Sequence, residues 1–261
     1  MKFHRIKGLL WNYYYFSLNS LDRIFDVFYW PIVDILIWGF MTTYIKGISD
    51  FNIVNLILGG LILWVFLWRS SQDIVTYLLE HYWSRSLYHL FVTPVSSMEM
   101  ITALAIMGIF RSMISFVVLS IFAYLFYQFN IFSVNPFHFM LFVSLLTLFA
   151  WGLGLLVSSL VFRWGSRIQV LAWSTIWILQ PFSCVFYPLS TLPPWAMKIA
   201  SLLPTTYVFE GLRASLTGEP VVYSQLLFAF ILVIIFLMVV SLFLIKSIDS
   251  AKKKGSFAKP E

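Results

Sequence analysis

The stretch 137–162, FHFMLFVSLLTLFAWGLGLLVSSLVF, contains no Asp, Glu, Lys or Arg. As a helix rising 1.5 Å per residue it is about 39 Å long, which exceeds the roughly 30 Å hydrocarbon core of a bilayer. Its apolar residues do not alternate with polar ones, as they do in the strands of a membrane barrel. Because a helix satisfies its own backbone hydrogen bonds in lipid, the stretch predicts a transmembrane α-helix.

Five further apolar runs lie on either side of this stretch. The composition agrees with a membrane protein, since 61% of the 261 residues are hydrophobic and 11% are charged, against about 25% charged residues in soluble domains. We therefore predict an all-α membrane protein with about six transmembrane helices. The six runs cover residues 24–45, 53–77, 100–126, 137–162, 168–187 and 226–245.

The distribution of Lys and Arg predicts the orientation. Cytoplasmic loops carry an excess of these residues, and an N-terminus in the cytoplasm places twelve on the inner side and three on the outer side, with Arg69 and Arg111 inside spans. Both termini are then cytoplasmic, in a multi-pass protein of a bacterial-type cell membrane. The net charge of +6 is explained by anionic membrane lipids rather than by nucleic acid. The inner residues are Lys2, Arg5, Lys7, Arg23, Arg85, Arg163, Arg167, Lys246, Lys252, Lys253, Lys254 and Lys259, and the outer ones are Lys46, Lys198 and Arg213.

The segments outside the spans divide the chain into three predicted parts. Residues 1–22 mix basic and aromatic side chains and predict an amphipathic helix lying in the membrane interface. Residues 23–250 form the transmembrane domain, and residues 251–261 form a basic cytoplasmic tail.

The longest outer connection, residues 188–225, predicts two short helices. Pro193-Pro194 suits the start of the first, Pro204 separates it from the second, and Gly218 suits the end of the second. On the inner side, residues 80–99 form an amphipathic connection, and Pro94 ends the helical pattern within it.

Motifs for catalysis and metal binding are missing from these 261 residues. The chain has no G-x-x-x-x-G-K-[ST], no G-x-S-x-G and no H-E-x-x-H, so we expect no ATP binding by a P-loop and no cofactor in this chain. Its single cysteine, Cys184, and its scattered histidines predict no metal site. The alternative function is a membrane-embedded enzyme or assembly protein acting on lipid-linked intermediates, with Asp22 and Asp26 as a carboxylate pair. Arg23 between them favours a hydrated helix entrance instead.

Charged residues inside the second apolar run have two interpretations. Arg69 and Asp73 are four residues apart, so they can pair along one helix, and with Gln72, Thr76 and Glu80 they form a polar stripe. The stripe either marks the helix leaving the membrane, with Arg69 snorkelling, or lines a transport path.

The fifth run carries a second candidate lining. Gln169, Trp173, Trp177 and Gln180 share one helical face, where aromatic rings and amides could bind sugars or lipid headgroups. Packing between helices is the alternative.

Asp34 and Arg111 are a candidate pair near the bilayer midplane. Counted from residue 24 and from residue 100, both lie about 15 Å along outward-running helices. An unpaired charge at that depth is expensive, so we predict a direct or water-bridged contact between them.

Three stretches resemble motifs of the ABC-2 type transporter permeases. The run PFSCVFYPLSTLPPW at 181–195 and LPTTYVFEGLR at 203–213 resemble the end of that family's fifth span and its P-x-x-Y-x-x-E-G-x-R signature. Arg85-Ser86-Leu87, Thr93-Pro94-Val95-Ser96 and Glu99 resemble its cytoplasmic loop between spans two and three.

The resemblance implies a function and several partners. Two permease chains, as a homodimer, pair with separate ATPase subunits that hold ATP and Mg, and the substrate is a lipid, a glycolipid or polysaccharide, or a hydrophobic drug-like molecule. The loop at 80–99 would be the coupling helix that docks on the ATPase. The outer helices would dip back into the membrane as a re-entrant motif. The implied site residues are Arg85, Leu87, Phe91 and Pro94 for coupling and Pro204, Tyr207, Glu210 and Arg213 for the re-entrant motif.

Overall fold

Helices account for nearly all of the chain that the structure describes. A computed structural model describes residues 2–46, 53–83, 93–165 and 168–254, and these residues contain no strand, which confirms the all-α fold. The helices are α1 (Phe3–Leu18), α2 (Leu21–Lys46), α3 (Ile53–Trp83), α4 (Ser97–Tyr127), α5 (Pro136–Trp164), α6 (Leu171–Leu179), α7 (Pro194–Ala200), α8 (Pro204–Thr217) and α9 (Tyr223–Lys254).

Five of the helices in the described ranges, α2, α3, α4, α5 and α9, are long and apolar enough to cross a membrane. The predicted span at 168–187 corresponds to α6, which has only nine residues and is followed by the 3₁₀ turn Gln180–Phe182. Pro181 explains this end, because proline has no N–H to continue a helix and clashes with the preceding turn. The count of six spans and the side on which the termini lie therefore stay predictions.

Helix α3 lies at the centre of the bundle. It packs against α2, α4, α5, α6 and α8, and 78% of its most apolar window is buried, against 22% for α2 and for α9. The outer faces of α2 and α9 consist of large apolar side chains, so these two helices present lipid-compatible surfaces. The bundle thus has a buried core of α3, α4 and α5, with α2 and α9 at its edges.

Small residues allow the three core helices to approach each other closely. A Cβ atom added to Gly154 of α5 would lie 3.0 Å from the carbonyl oxygen of Ser71 on α3, and one added to Gly108 of α4 would lie 3.4 Å from the Cα of Ser70. Close backbone approach through small residues is the usual packing mode of membrane helices, where apolar burial gives no driving force.

Helix α1 lies against the beginning of α4 and the end of α3. It buries Ile6 and Tyr13, and the Tyr13 ring lies 4.8 Å from the Tyr77 ring of α3. The helix also exposes Phe3, Trp11, Tyr15 and other aromatic side chains. The predicted amphipathic helix is present, and its position in the membrane interface stays a prediction.

The outer connection contains both predicted short helices. Pro194 is at the first turn of α7 and Pro204 at the first turn of α8, and α8 ends at Gly218, whose φ of 80° suits glycine. Helix α8 packs against α3, α5 and α9 and buries residues such as Thr206 and Phe209. Helix α8 is therefore packed between the long helices and does not form a free surface loop.

Candidate functional site

A buried ion pair joins α3 to α4. Asp73 Oδ1 lies 2.5 Å from Arg111 Nη1, and both side chains are almost completely buried. Arg111 Nη2 also donates a hydrogen bond to the carbonyl oxygen of Arg23 on α2, at 3.0 Å. A charge in this environment is stable only with a partner, because desolvating an isolated ion costs several kcal/mol. The pair therefore fixes the register of α3 against α4.

A second arginine connects α3 to α2. Arg69 Nη1 lies 2.5 Å from Asp26 Oδ2, and Arg111 Nη2 lies 3.9 Å from the same carboxylate oxygen. Arg69 is 1% exposed, whereas the Asp26 side chain is 41% exposed. Asp26 thus pairs closely with Arg69 and lies at a longer distance from Arg111, at the edge of the bundle.

A third arginine extends the cluster toward α1. Arg23 forms an ion pair with Glu80 of α3, and its guanidinium carbon lies 3.8 Å from the Tyr77 ring centre and 4.6 Å from that of Phe16. Tyr77 also shares a 2.5 Å hydrogen bond with Ser17. Stacking on aromatic rings suits the flat guanidinium. The result is a polar junction of α1, α2 and α3.

These ionic residues form one electrically neutral layer across α2, α3 and α4, which we call the charged layer. On α3 the layer extends from Arg69, about 24 Å from Ile53, to Glu80, about 40 Å from it, at 1.5 Å per residue. The roughly 30 Å thickness of the hydrocarbon core falls within this range, so the layer lies toward one end of the apolar part of the bundle and not at its middle. The charged layer consists of Arg23, Asp26, Arg69, Asp73, Glu80 and Arg111.

The predicted contact between Asp34 and Arg111 is wrong, because Arg111 pairs with Asp73 and Asp26 instead. Asp34 lies eight residues beyond Asp26 on α2, which is about 12 Å further along the helix. The depth estimate failed because α4 has 31 residues, about 46 Å, and so extends well beyond the hydrocarbon core.

The predicted pairing of Arg69 with Asp73 along α3 is also wrong. Each side chain turns to a different neighbouring helix, Arg69 to α2 and Asp73 to α4. Arg69 does not snorkel toward the membrane surface either, because its guanidinium lies in the interior of the helix bundle. Gln72 of the same stripe donates a hydrogen bond to the carbonyl oxygen of Ala172, at 2.7 Å, and so ties α3 to α6. The stripe is buried within one chain from Arg69 to Asp73, whereas Thr76 and Glu80 are only partly buried. Its role in a transport path stays a prediction.

The aromatic face of the predicted fifth span is exposed. Trp173 and Trp177 on α6 are 53% and 56% exposed, Gln169 is exposed and Gln180 partly buried. Packing against helices of the same chain therefore does not account for the two tryptophans. The face is open to lipid, to substrate or to a second chain.

The re-entrant motif forms a ring of polar contacts around the turn after α6. Arg213 Nη2 donates to the carbonyl oxygens of Cys184, at 2.7 Å, and Tyr187, at 2.9 Å. Its Nη1 lies 2.9 Å from Glu210 Oε1, one helical turn earlier on α8. Glu210 also accepts a hydrogen bond from the backbone N–H of Leu189, at 2.6 Å.

This ring holds a strained and tightly packed turn. Cys184 has a φ of 54°, a conformation that is uncommon for residues other than glycine. A Cβ atom added to Gly60 of α3 would lie 2.5 Å from the carbonyl oxygen of Val185, so α3 and the turn touch through their backbones. The other motif residues serve the same junction: Pro204 begins α8, and the Tyr207 hydroxyl donates to the carbonyl oxygen of Ser201 at 2.7 Å.

The predicted coupling residues Arg85, Leu87 and Phe91 lie outside the described residues. Pro94, the fourth, is exposed, and its carbonyl oxygen accepts a hydrogen bond from Arg5 of α1. Just beyond it, Ser96 and Glu99 form a capping box that begins α4.

Helix α1 contacts the same helix start. The backbone N–H of Lys2 donates to Glu99 Oε1 at 2.6 Å, and Arg5 Nη1 lies 3.7 Å from Glu99 Oε2. The end of the predicted coupling segment is thus bonded to both α1 and α4.

Sequence reasoning named Arg23, Asp26 and Glu80 but did not predict their ion pairs, which are Arg23 with Glu80 and Asp26 with Arg69. The sequence contained one signal for such ion pairs: Arg23 and Asp26 lie three residues apart in the first turns of an apolar helix. Asp26 is committed to ion pairs with arginines, which argues against its use as one of a catalytic carboxylate pair.

The five long apolar helices define the class of multi-pass membrane proteins. The chain belongs to the family of ABC-2 type transporters, whose sequence pattern matches residues 16–217. This match extends from the end of α1 to the end of α8 and includes the three stretches noted above. Comparison with curated proteins gives no significant match. The family is one of transporter membrane subunits that associate with ABC ATPases.

Proposed function

We propose that this chain is the permease subunit of an ABC exporter, working as a homodimer with separate ATPase subunits in a bacterial-type cell membrane. The observation that carries the proposal is the family match over residues 16–217. The absence of a Walker A sequence from the 261 residues supports a separate ATPase. ATP and Mg are then bound by the partner subunit, and this chain forms the transport path across the membrane.

The contacts around the start of α4 support the coupling role of residues 80–99. Glu99 links α4 to the backbone of Lys2 and to Arg5 of α1. A displacement of the coupling segment would therefore move α4 and α1 together. Helix α4 continues to Arg111 in the charged layer, which connects it to α2 and α3. Stiff helices joined by ion pairs transmit a rigid-body movement well.

The exposed face of α6 supports an amphiphilic substrate and a second chain. Trp173 and Trp177 present indole rings that combine an apolar body with an N–H donor. Such groups suit a lipid, glycolipid or polysaccharide, or a drug-like molecule. Helix α2 likewise exposes most of its apolar surface, which suits a homodimer contact beside the path.

Copurification tests the coupling segment. With a tagged chain expressed in membranes, we expect an ABC ATPase to copurify, and we expect Leu87→Asp or Phe91→Asp to reduce its recovery at least tenfold, because a charge would be buried at an apolar contact. Leu202→Asp is the matched control, since Leu202 is exposed on the turn before α8 and lies on the predicted outer side. Equal ATPase recovery with all three variants would count against the coupling role.

A further inference from the structure

A groove runs between α1 and the first half of α4. It has a volume of about 390 Å³ and is lined by Lys7, Leu10, Trp11 and Tyr14 of α1 together with Ile106, Met107 and Phe110 of α4. The α1 residues have the spacing i, i+3, i+4 and i+7, so they form one face of the helix. Apart from the Lys7 ammonium and the polar tips of the two aromatic residues, the lining is apolar.

The walls of the groove are held in place. The rings of Trp11 and Tyr14 meet edge to face with centres 5.8 Å apart. Met107 is buried at the base, while Ile106 and Phe110 are half exposed at the rim. An open apolar groove on a membrane helix is filled by an acyl chain in the bilayer, since the surrounding solvent there is lipid.

The groove carries one positive charge, the ammonium group of Lys7. Lys7 is exposed and has no ion pair within residues 2–46, 53–83, 93–165 and 168–254. The nearby Arg5 already contacts Glu99, and α1 contains no Asp or Glu. A tryptophan and a tyrosine next to a lysine are typical of residues at the level of lipid headgroups. Lys7 is therefore available to an anionic headgroup whose acyl chain lies in the groove.

We propose that this groove is a binding site for one anionic phospholipid, with the phosphate at Lys7 and an acyl chain against Ile106, Met107 and Phe110. Bound in this way, the lipid fastens α1 to α4 beside the Glu99 contacts. The site does not depend on the ATPase partner or on the transported substrate.

Native mass spectrometry of the purified full-length chain tests the proposal. Dioleoyl phosphatidylglycerol and dioleoyl phosphatidylcholine are titrated separately, so that only the headgroup differs. One basic residue near an anionic headgroup predicts about a fivefold preference for phosphatidylglycerol. We expect Lys7→Glu to remove the preference, and Ile106→Trp, which fills the groove from its rim, to weaken the retention of both lipids. Lys198→Glu is the matched control, since Lys198 is exposed on α7, and it keeps the preference.

Two outcomes overturn the proposal. The first is a Lys7→Glu variant that still prefers phosphatidylglycerol by the same factor, and the second is an Ile106→Trp variant that retains both lipids unchanged. Lys7 and Ile106 are exposed or half exposed, so both variants are expected to fold. Thermal melting of each variant without added lipid verifies this, and Lys7→Gln, tested in the same titration, must also lose the preference.

Discussion

Asp73→Asn is expected to destabilise the protein by about 3–5 kcal/mol, because it leaves the Arg111 guanidinium buried without its closest counter-charge. Arg111→Gln is expected to have an effect of similar size, since it strands the Asp73 carboxylate between helices. The measurement is reversible unfolding of the purified chain in mixed micelles. The double variant should lose less than the sum of the two single variants, because it removes both charges together.

Asp34→Asn is the matched control for this prediction. Asp34 is on the same helix as Asp26 but has no ion pair within the described ranges, so the change should have an effect below about 1 kcal/mol. If a single charged-layer variant fails to accumulate in membranes, recovery of the double variant to near the normal level still reports the pairing. Strictly additive losses, or an equal loss with Asp34→Asn, would contradict the assignment.

Arg213→Ala is expected to open the turn after α6 and to expose Cys184. The arginine donates to the carbonyl oxygens of Cys184 and Tyr187, and hydrogen bonds to a charged group contribute about 1.5–3 kcal/mol each. Cys184 is the only cysteine and is fully buried. Its alkylation by N-ethylmaleimide in purified protein should therefore become at least about tenfold faster, since tenfold corresponds to about 1.4 kcal/mol.

Two further variants separate geometry from charge at this turn. Arg213→Lys keeps the charge but loses the planar fork that reaches several oxygens at once, so its labelling rate should fall between those of the native chain and Arg213→Ala. Lys198→Ala removes a cation from the neighbouring helix α7, where Lys198 is exposed, and should leave the rate unchanged. Equal labelling of Cys184 in all variants would rule out a role for Arg213 in closing the turn.

The elements that proline and glycine delimit were predictable from sequence. Pro194, Pro204 and Gly218 act through their own backbone geometry, so the short helices α7 and α8 appeared where predicted. The contact between Glu210 and Arg213 likewise follows from local geometry, since three-residue spacing on one helix brings the side chains together.

The length of α6 and the partners of the intramembrane charges differ from what the sequence predicted. Pro181 shortened the predicted fifth span, although the apolar run continues beyond it. Arg69 and Asp73 have helical spacing too, yet each pairs across to another helix. Pairing between helices depends on how each helix is rotated and how far it extends beyond the membrane, and a single sequence specifies neither.

ATP hydrolysis by the purified chain in liposomes tests the central claim, that this chain is a permease driven by a separate ATPase, most directly. The chain alone is predicted to hydrolyse no ATP, because its 261 residues lack a phosphate-binding loop. Addition of the copurified ABC ATPase should give ATP hydrolysis. The rate of this hydrolysis should be lower with the Phe91→Asp variant of the permease than with the native chain. ATP turnover by the chain alone, in a preparation verified to contain no other protein, would contradict the account.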